Sequence, residues 1–263
     1  MRFHFVVRDA VHFPAGGAAN LLRGVLGSAL HDLDSAAYAR FFAPAGQGGP
    51  SGLADRPRPF VLRAEHLNGC ALASGETFHF DFHLFDMHEP WVARLRESFG
   101  TLRGAELNGV SGDDGPLILS LDPLPDSVTR VRVEFLTPTE LKTASGLAAA
   151  PDFAVLATRI RDRISALRQL YDDGPLPIDF AAFGARAAAV RMTGCRVRRV
   201  FAKRTSRATG QTHPLGGFVG SADYEGELAE FLPFLLAAQW TGVGRQTTWG
   251  KGALTIDVDR VVN

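Results

Sequence analysis

The chain has 263 residues, 46% of them hydrophobic and 21% charged, which is enough apolar material for one large core or two ordinary ones and excludes a disordered chain. Its 28 basic side chains balance 28 acidic ones, so it is not a uniformly basic protein; residues 1–130 nevertheless carry 11 Lys/Arg against 15 Asp/Glu, and residues 131–263 carry 17 against 13, which makes the second half the more polyanion-friendly. Two cysteines without a CxxC partner, Cys70 and Cys195, exclude a disulfide framework and a cysteine-based zinc site, and no run reaches the ~20 apolar residues of a spanning helix.

Met1 to Arg8 alternates as a strand does and lacks the uninterrupted apolar stretch of a signal peptide, so the expected location is the cytoplasm. Gly16-Gly17 then opens a helix over about Ala18–Leu33, with Leu22, Val25, Leu26, Ala29, Leu30 and Leu33 on one stripe. At about 100° per residue His31 falls opposite that stripe, and Gly24 and Gly27 lie below it on the same outer face. Each glycine costs a helix ~1 kcal/mol relative to alanine, so the pair implies close approach by another backbone or by a ribose-phosphate chain.

Residues 43–57 are dominated by Gly, Pro, Ser and Ala and read as a mobile loop, either a lid or an insertion. Arg58–Arg63 is a short strand. Thr77–Phe85 is the clearest one, with Phe78, Phe80, Phe82 and Leu84 on one face and His79, Asp81 and His83 on the other. Same-face neighbours ~6.6 Å apart can suit metal ligands, yet such residues are commoner on a plain wet face, and no metal is assigned. A helix near Pro90–Phe99 and a strand at Leu117–Leu121 complete a β-α-β-β-α-β-like order. Asp122-Pro-Leu-Pro-Asp126 marks the boundary between domains spanning 1–125 and 126–263.

The second domain repeats the plan: strand Val128–Leu136, helix Asp152–Tyr171, a short helix near Phe180–Val190, strands Cys195–Phe201 and Gly217–Tyr224, helix Glu227–Ala238, and a strand from Ala253. Between Arg191 and Phe218 lie seven cations and no acid: Arg191, Arg196, Arg198, Arg199, Lys203, Arg204 and Arg207. A solvated face normally mixes signs, so this run reads as a phosphate-contacting surface, with Arg198, Lys203, Arg204 and Arg207 the candidates. Between the last helix and strand, Gly242, Gly244, Gly250 and Gly252 follow a G-x-G-x5-G-x-G order flanked by Arg245 and Lys251. Such a loop can take positive φ and present bare N–H groups to a polyanion; its other reading is a turn that lets helix and strand pack closely.

The loop resembles the glycine-rich loop of the RAMP superfamily. Leu215-Gly-Gly-Phe-Val-Gly-Ser-Ala-Asp-Tyr-Glu-Gly226, running on to Phe231-Leu-Pro-Phe-Leu235, resembles its CRISPR repeat-processing endoribonuclease branch. Leu22–Leu30, Arg58–Arg63 and Phe135–Lys142 agree in order and spacing, so the resemblance samples both halves of the chain. Lys251 stands where the family tends to have an apolar residue, and the cysteine cluster that some relatives carry after the first helix is missing. The resemblance implies an α+β fold of tandem ferredoxin-like (RAMP/RRM-like) domains with a C-terminal glycine-rich loop. It also implies metal-independent, cofactor-free cleavage of CRISPR repeat RNA that leaves 2′,3′-cyclic phosphate and 5′-OH ends. The alternative is a non-catalytic RNA-binding subunit of a CRISPR effector complex. Other effector subunits and a second copy of the chain are further candidate partners, and a membrane is not.

No HExxH, P-loop or serine-elbow motif is present. RNA cleavage needs none of them, because the 2′-OH is the nucleophile; a protein must align the ribose, move a proton near neutral pH and stabilise charge on phosphorus. Histidine suits the proton role. The resemblance implies His31, because the family's catalytic histidine lies on or just after this helix. Tyr38 and Arg23 are the candidates for orienting and charge-stabilising roles, and His12 is the rival base.

Overall fold

The structure, a computed structural model, describes residues 1–45, 56–100, 102–112, 115–124, 127–201, 203–205, 212–214 and 216–258. Residues 46–55 of the expected mobile loop therefore lie outside the described residues, as do Arg207 and the last residues of the final strand. The chain forms two compact units. The first comprises Met1–Ile118, Ala166–Pro175 and Thr248–Gly250; the second comprises Leu119–Ser165, Leu176–Thr247 and Lys251–Asn263.

In chain order the first unit holds β1 (Arg2–Val7), β2 (Val11–His12), α1 (Ala18–Leu33), α2 (Ser35–Phe42), β3 (Phe60–Arg63), β4 (Ala71–Leu72), β5 (Thr77–Leu84), α3 (Trp91–Phe99) and β6 (Ala105–Ser111). Its main sheet has the antiparallel order β3-β5-β1-β6, the arrangement of a ferredoxin-like βαββαβ unit. Strict alternation explains β5: Phe78, Phe80 and Phe82 turn inward, and the first pairs with Phe5 and the second with Phe3 across the β1 ladder. Those rings, with Phe99 of α3 packed edge-on 4.3 Å from Phe3, make an aromatic core. Each fully buried phenylalanine contributes about 1.5–3 kcal/mol, so truncating Phe80 to alanine would remove one of its central members.

The fourth strand of this sheet differs from the sequence expectation. It is Ala105–Ser111, and the apolar run Leu117–Leu121 joins no strand, with Ile118 88% exposed. The edge of β1 accepts the segment whose Ala105, Leu107 and Val110 face the core, with a bulge opposite His4/Phe5 absorbing the broken alternation.

The second unit holds β7 (Arg130–Thr139), β8 (Lys142–Thr143), β9 (Gly146–Leu147), α4 (Phe153–Tyr171), α5 (Phe180–Ala187), β10 (Arg191–Val200), β11 (Lys203–Thr205), β12 (Thr212–Pro214), β13 (Gly217–Glu225), α6 (Leu232–Thr241) and β14 (Leu254–Val258). Its sheet runs β10-β13-β7-β14, again antiparallel and again the ferredoxin-like order. Val131, Val133 and Phe135 of β7 alternate inward against Phe153, Leu156 and Ile160 of α4. Helix α6 starts at Leu232, five residues later than its apolar run suggests, because Pro233 occupies the first turn, where its missing N–H costs nothing. Among the described residues no helix is long and apolar enough to cross a membrane.

Candidate active site

Helix α1 is entered without a side-chain cap of its own: Gly17 stands at the N-cap, and Asn68 Oδ1 accepts the Ala18 N–H at 3.0 Å. Ala19, Leu22, Leu26 and Leu30 are buried, while Val25 and Leu33 of the expected stripe sit at its rim, each more than a third exposed. The helix ends where Asp34 becomes extended and immediately caps the next one, its Oδ1 accepting the Ala36 and Ala37 N–H groups at 3.0 Å.

This tight reversal brings α2 back along α1. The Tyr38 ring stands edge-on to the His31 ring at 5.0 Å and stacks on Phe42 at 5.7 Å. Gly27 makes the approach possible, since a Cβ there would lie 3.1 Å from Phe42 Cδ1 and 3.6 Å from Tyr38 Cε2. Between the two helices a cavity of about 230 Å³ is lined by Arg23, Gly24, Ser28, His31, Asp32 and Tyr38, with Gly27 and Phe42 beneath. The Arg23 guanidinium lies over the rings of Phe42 (5.7 Å) and Trp249 (5.8 Å), so its charge reaches the cavity from an aromatic seat. The His31 side chain is 59% exposed, and its Nδ1 is 3.8 Å from Asp32 Oδ1, too far for a hydrogen bond.

His31, Tyr38 and Arg23 therefore border one space that offers an accessible imidazole, a phenol and a guanidinium. His12, in β2 and paired with Ala71, does not line it. Sequence reasoning missed Ser28, Asp32, Phe42 and Trp249. The first two were available from helical spacing around His31, and Asp34 followed by Ser-Ala-Ala is an N-cap signature that announces α2.

From its other face α2 is tied down by an ion pair. Arg40 donates twice to the fully buried Asp86, one bond being 3.0 Å, and His88 Nδ1 lies 2.8 Å from the same carboxylate. Burial pushes the Asp86 carboxyl up, but the Arg40 and His88 hydrogen bonds outweigh it and hold it below the usual range. On the outer face of the first sheet, Asp81 is paired with Arg2 at 2.7 Å, and the His79 ring stacks on His66 at 4.4 Å. Burial and the neighbouring His66 and Arg2 keep the His79 imidazole below its ordinary value. Among the described residues no group of three His, Cys, Asp or Glu is arranged to hold a metal ion.

The basic run is less free than its sequence suggests. Acids missing from the run arrive across the ladder from β13: Glu225 pairs with Arg191 at 3.3 Å and Asp223 with Arg196 at 2.8 Å, and Arg199 donates to the Ala148 carbonyl. Arg198 is exposed and has no ion pair among the described residues. Lys203 and Arg204 belong to the β11–β12 ladder, with their side chains outside the described residues.

The glycine-rich loop departs most from expectation. Gly242, Gly244, Gly250 and Gly252 all take positive φ, between 66° and 78°. Their surroundings, however, are this protein's own atoms. A Cβ on Gly244 would overlap the Glu140 carbonyl oxygen, one on Gly252 the Val243 carbonyl oxygen, and one on Gly250 the Ala19 side chain. Several loop N–H groups are spent inside as well: Gly242 donates to Ala238, Val243 to Gly252, Arg245 to Glu140, and Gly252 to Pro138. Lys251 is only 5% exposed, and burial holds its amine below the ordinary value. The expectation of bare N–H groups is corrected at Gly242 and Gly252, whose N–H groups have acceptors within the chain, and the expectation of an accessible Lys251 is corrected by its burial. Arg245 remains half-exposed, its guanidinium 3.3 Å from the buried Glu140 carboxylate.

Comparison with known proteins follows the same division. Residues 133–254 match the family described as CRISPR-associated endoribonuclease Cas6, and residues 1–116 match a second family described as an N-terminal domain. A search of curated proteins finds no match. Among solved structures, a Cas6 product complex superposes with a TM-score of 0.63 at 17% identity, covering 98% of this chain and 100% of that one. Thermus thermophilus Cas6 gives 0.58 at 18% identity, with 98% of each chain covered. A partial Cas6-RT-Cas1–Cas2 complex gives 0.61 at 11% identity, covering 99% of this chain and 46% of that one. The second part of the chain, residues 133–254, thus matches the CRISPR-associated endoribonuclease Cas6 family, and the chain shares its tandem ferredoxin-like fold with the solved Cas6 structures.

Proposed function

We propose that the protein binds CRISPR repeat RNA and cuts it on the 3′ side of the recognised element, without a metal, by attack of the substrate's own 2′-OH. The observation that carries this reading is the convergence of His31, Tyr38 and Arg23 on one open cavity. In the step itself the 2′-oxygen bonds to phosphorus, the bond from phosphorus to the 5′-oxygen breaks, and a 2′,3′-cyclic phosphate and a 5′-OH remain. Neutral His31 takes the 2′-proton or, as imidazolium, gives one to the leaving 5′-oxygen, and its exposed ring is reachable for either step. Arg23 stabilises the added charge on phosphorus, and Tyr38, standing edge-on to the imidazole, holds it towards the ribose. The first domain carries this chemistry, while Arg198, Arg245 and the cations after Val200 supply RNA contacts in the second.

The test is cleavage of a repeat RNA by the pure protein in excess chelator, with end-group analysis of the products. His31→Ala is expected to fold and bind normally while cleaving about 10²–10⁴-fold more slowly, the usual worth of a positioned acid or base. Loss in His12→Ala with His31→Ala unaffected would transfer the role to His12. A strict requirement for Mg²⁺ or Mn²⁺ would overturn the mechanism, and tight binding without cleavage by the wild type would make the protein a guide-holding subunit.

A further inference from the structure

The two glycines of α1 look alike in sequence but not in space. Gly27 is buried, and the space a side chain would need is filled by Phe42 and Tyr38. Gly24, one turn earlier, is exposed, lines the cavity, and has no atom within 4 Å of where a Cβ would be. Packing accounts for Gly27 and leaves Gly24 unexplained, although both weaken the helix by the same entropic route. The vacant volume over Gly24 is the cavity itself, bounded by Arg23 beside it and by Ser28 and His31 one and two turns on.

We infer that Gly24 is a clearance residue: its bare Cα is the wall against which the sugar-phosphate chain at the cut site lies, and any side chain there would push the ribose away from His31. This rests on the proposed cleavage reaction and sharpens it, dividing the cavity into a chemical side (His31, Tyr38, Arg23) and a steric side (Gly24). The choice of ligand follows from the shape and chemistry of the space. A cavity of about 230 Å³ open along a helix, with the Arg23 guanidinium, the His31 imidazole and the Tyr38 phenol on its wall and the exposed Asp32 carboxylate at its rim, accommodates a single nucleotide unit of a chain that continues past it. A methyl group in place of the Gly24 hydrogen enlarges the wall by about the thickness of one carbon, and misplacement of the reacting atoms by ~1 Å costs ~100-fold in rate.

Gly24→Ala, Gly24→Val and Gly27→Ala test the inference, with His31→Ala as the internal reference. Each is measured for melting temperature, for cleavage of repeat RNA, and for affinity towards two uncleavable RNAs: one with a 2′-deoxy nucleotide at the cut site, and one ending before it. Gly24→Ala is expected to melt at or above the wild-type temperature, because alanine favours the helix. It should nevertheless cleave at least 10-fold more slowly and bind the deoxy RNA more weakly, while binding the shortened RNA like wild type. Gly24→Val should be worse in cleavage than Gly24→Ala, and Gly27→Ala should instead melt lower. The inference is overturned if Gly24→Ala cleaves and binds both RNAs as wild type does while His31→Ala is inactive, a result that leaves the reaction itself standing. Equal loss on the long and shortened RNAs also overturns it, since the effect would then lie outside the cut site. If His31→Ala and Gly24→Ala both cleave as wild type does, the cavity is not the active site and both readings fall together.

Discussion

Glycines gather in two places in this protein, on the face of α1 that meets α2 and the cavity and in the loop between α6 and β14, and they are there for opposite reasons. Those of the loop are conformational: all four have left-handed φ, and carbonyl oxygens or a side chain of the same chain fill the space beside three of them. Those of α1 have ordinary helical geometry, so nothing about the backbone requires them; Gly27 answers to two aromatic rings and Gly24 to no atom of the protein. A glycine demanded by φ and crowded by backbone says little about a ligand. One that neither needs its φ nor meets a neighbour points outward.

The sharpest way to break this contrast is to add a methyl group in the loop. Gly244→Ala and Gly252→Ala combine a left-handed penalty of ~1–2 kcal/mol with overpacking of ~1–3 kcal/mol against a carbonyl oxygen. Each is expected to lower the melting temperature by about 10 °C, at roughly 2–4 °C per kcal/mol for a chain of this size, read by thermal unfolding. Melting within a few degrees of wild type would mean that the loop yields easily and is not self-packed.

A smaller effect is expected on the other side of the comparison, where α2 must stay seated for the cavity to exist. Asp86→Asn deprives Arg40 and His88 of their buried partner, which costs about 1–3 kcal/mol once the partial exposure of both partners is discounted. The same change should alter acid stability. Because the native Asp86 carboxyl titrates below its ordinary value, its contribution is fully present above about pH 4 and is lost as pH falls through the native value. The asparagine variant should thus show a flatter fall in stability below pH 4, and parallel curves would remove the ion pair from the account.

The smallest expected change sharpens the loop again. Arg245 is half-exposed, so Arg245→Ala should cost ~1 kcal/mol or less in stability despite uncovering the Glu140 carboxylate. Any RNA contact would appear separately, as a slope of log affinity against log salt shallower by roughly 0.7–0.9. An unchanged slope would leave Arg245 with a structural role alone.

Both sheets were legible where the pattern was local. Phe78, Phe80 and Phe82 announce β5 by period two, and Leu22, Leu26 and Leu30 announce α1 by helical spacing. The misreadings share one cause, a partner distant in sequence. The strand at Ala105–Ser111 is weaker in composition than Leu117–Leu121, and only the edge of β1 selects it. The arginines of β10 look unpaired until β13 places Asp223 and Glu225 beside them. Likewise, the loop suggests vacant N–H groups because the acceptors for Gly252 and Arg245, the Pro138 and Glu140 carbonyls, lie more than 100 residues earlier. Of the candidate site, His31 and its helix face were readable. Its aromatic wall was not, because Phe42 and Trp249 are gathered by the fold and not by spacing.

The helix that carries His31 is completed by a residue 50 positions further along, since Asn68 supplies the acceptor for its first free N–H. During synthesis, therefore, α1 leaves the ribosome before the chain that finishes it. A nascent chain halted before residue 68 should hold α1 as a fraying, partly formed helix, and one extended past β5 should hold it fully, a difference that amide exchange on stalled chains would register.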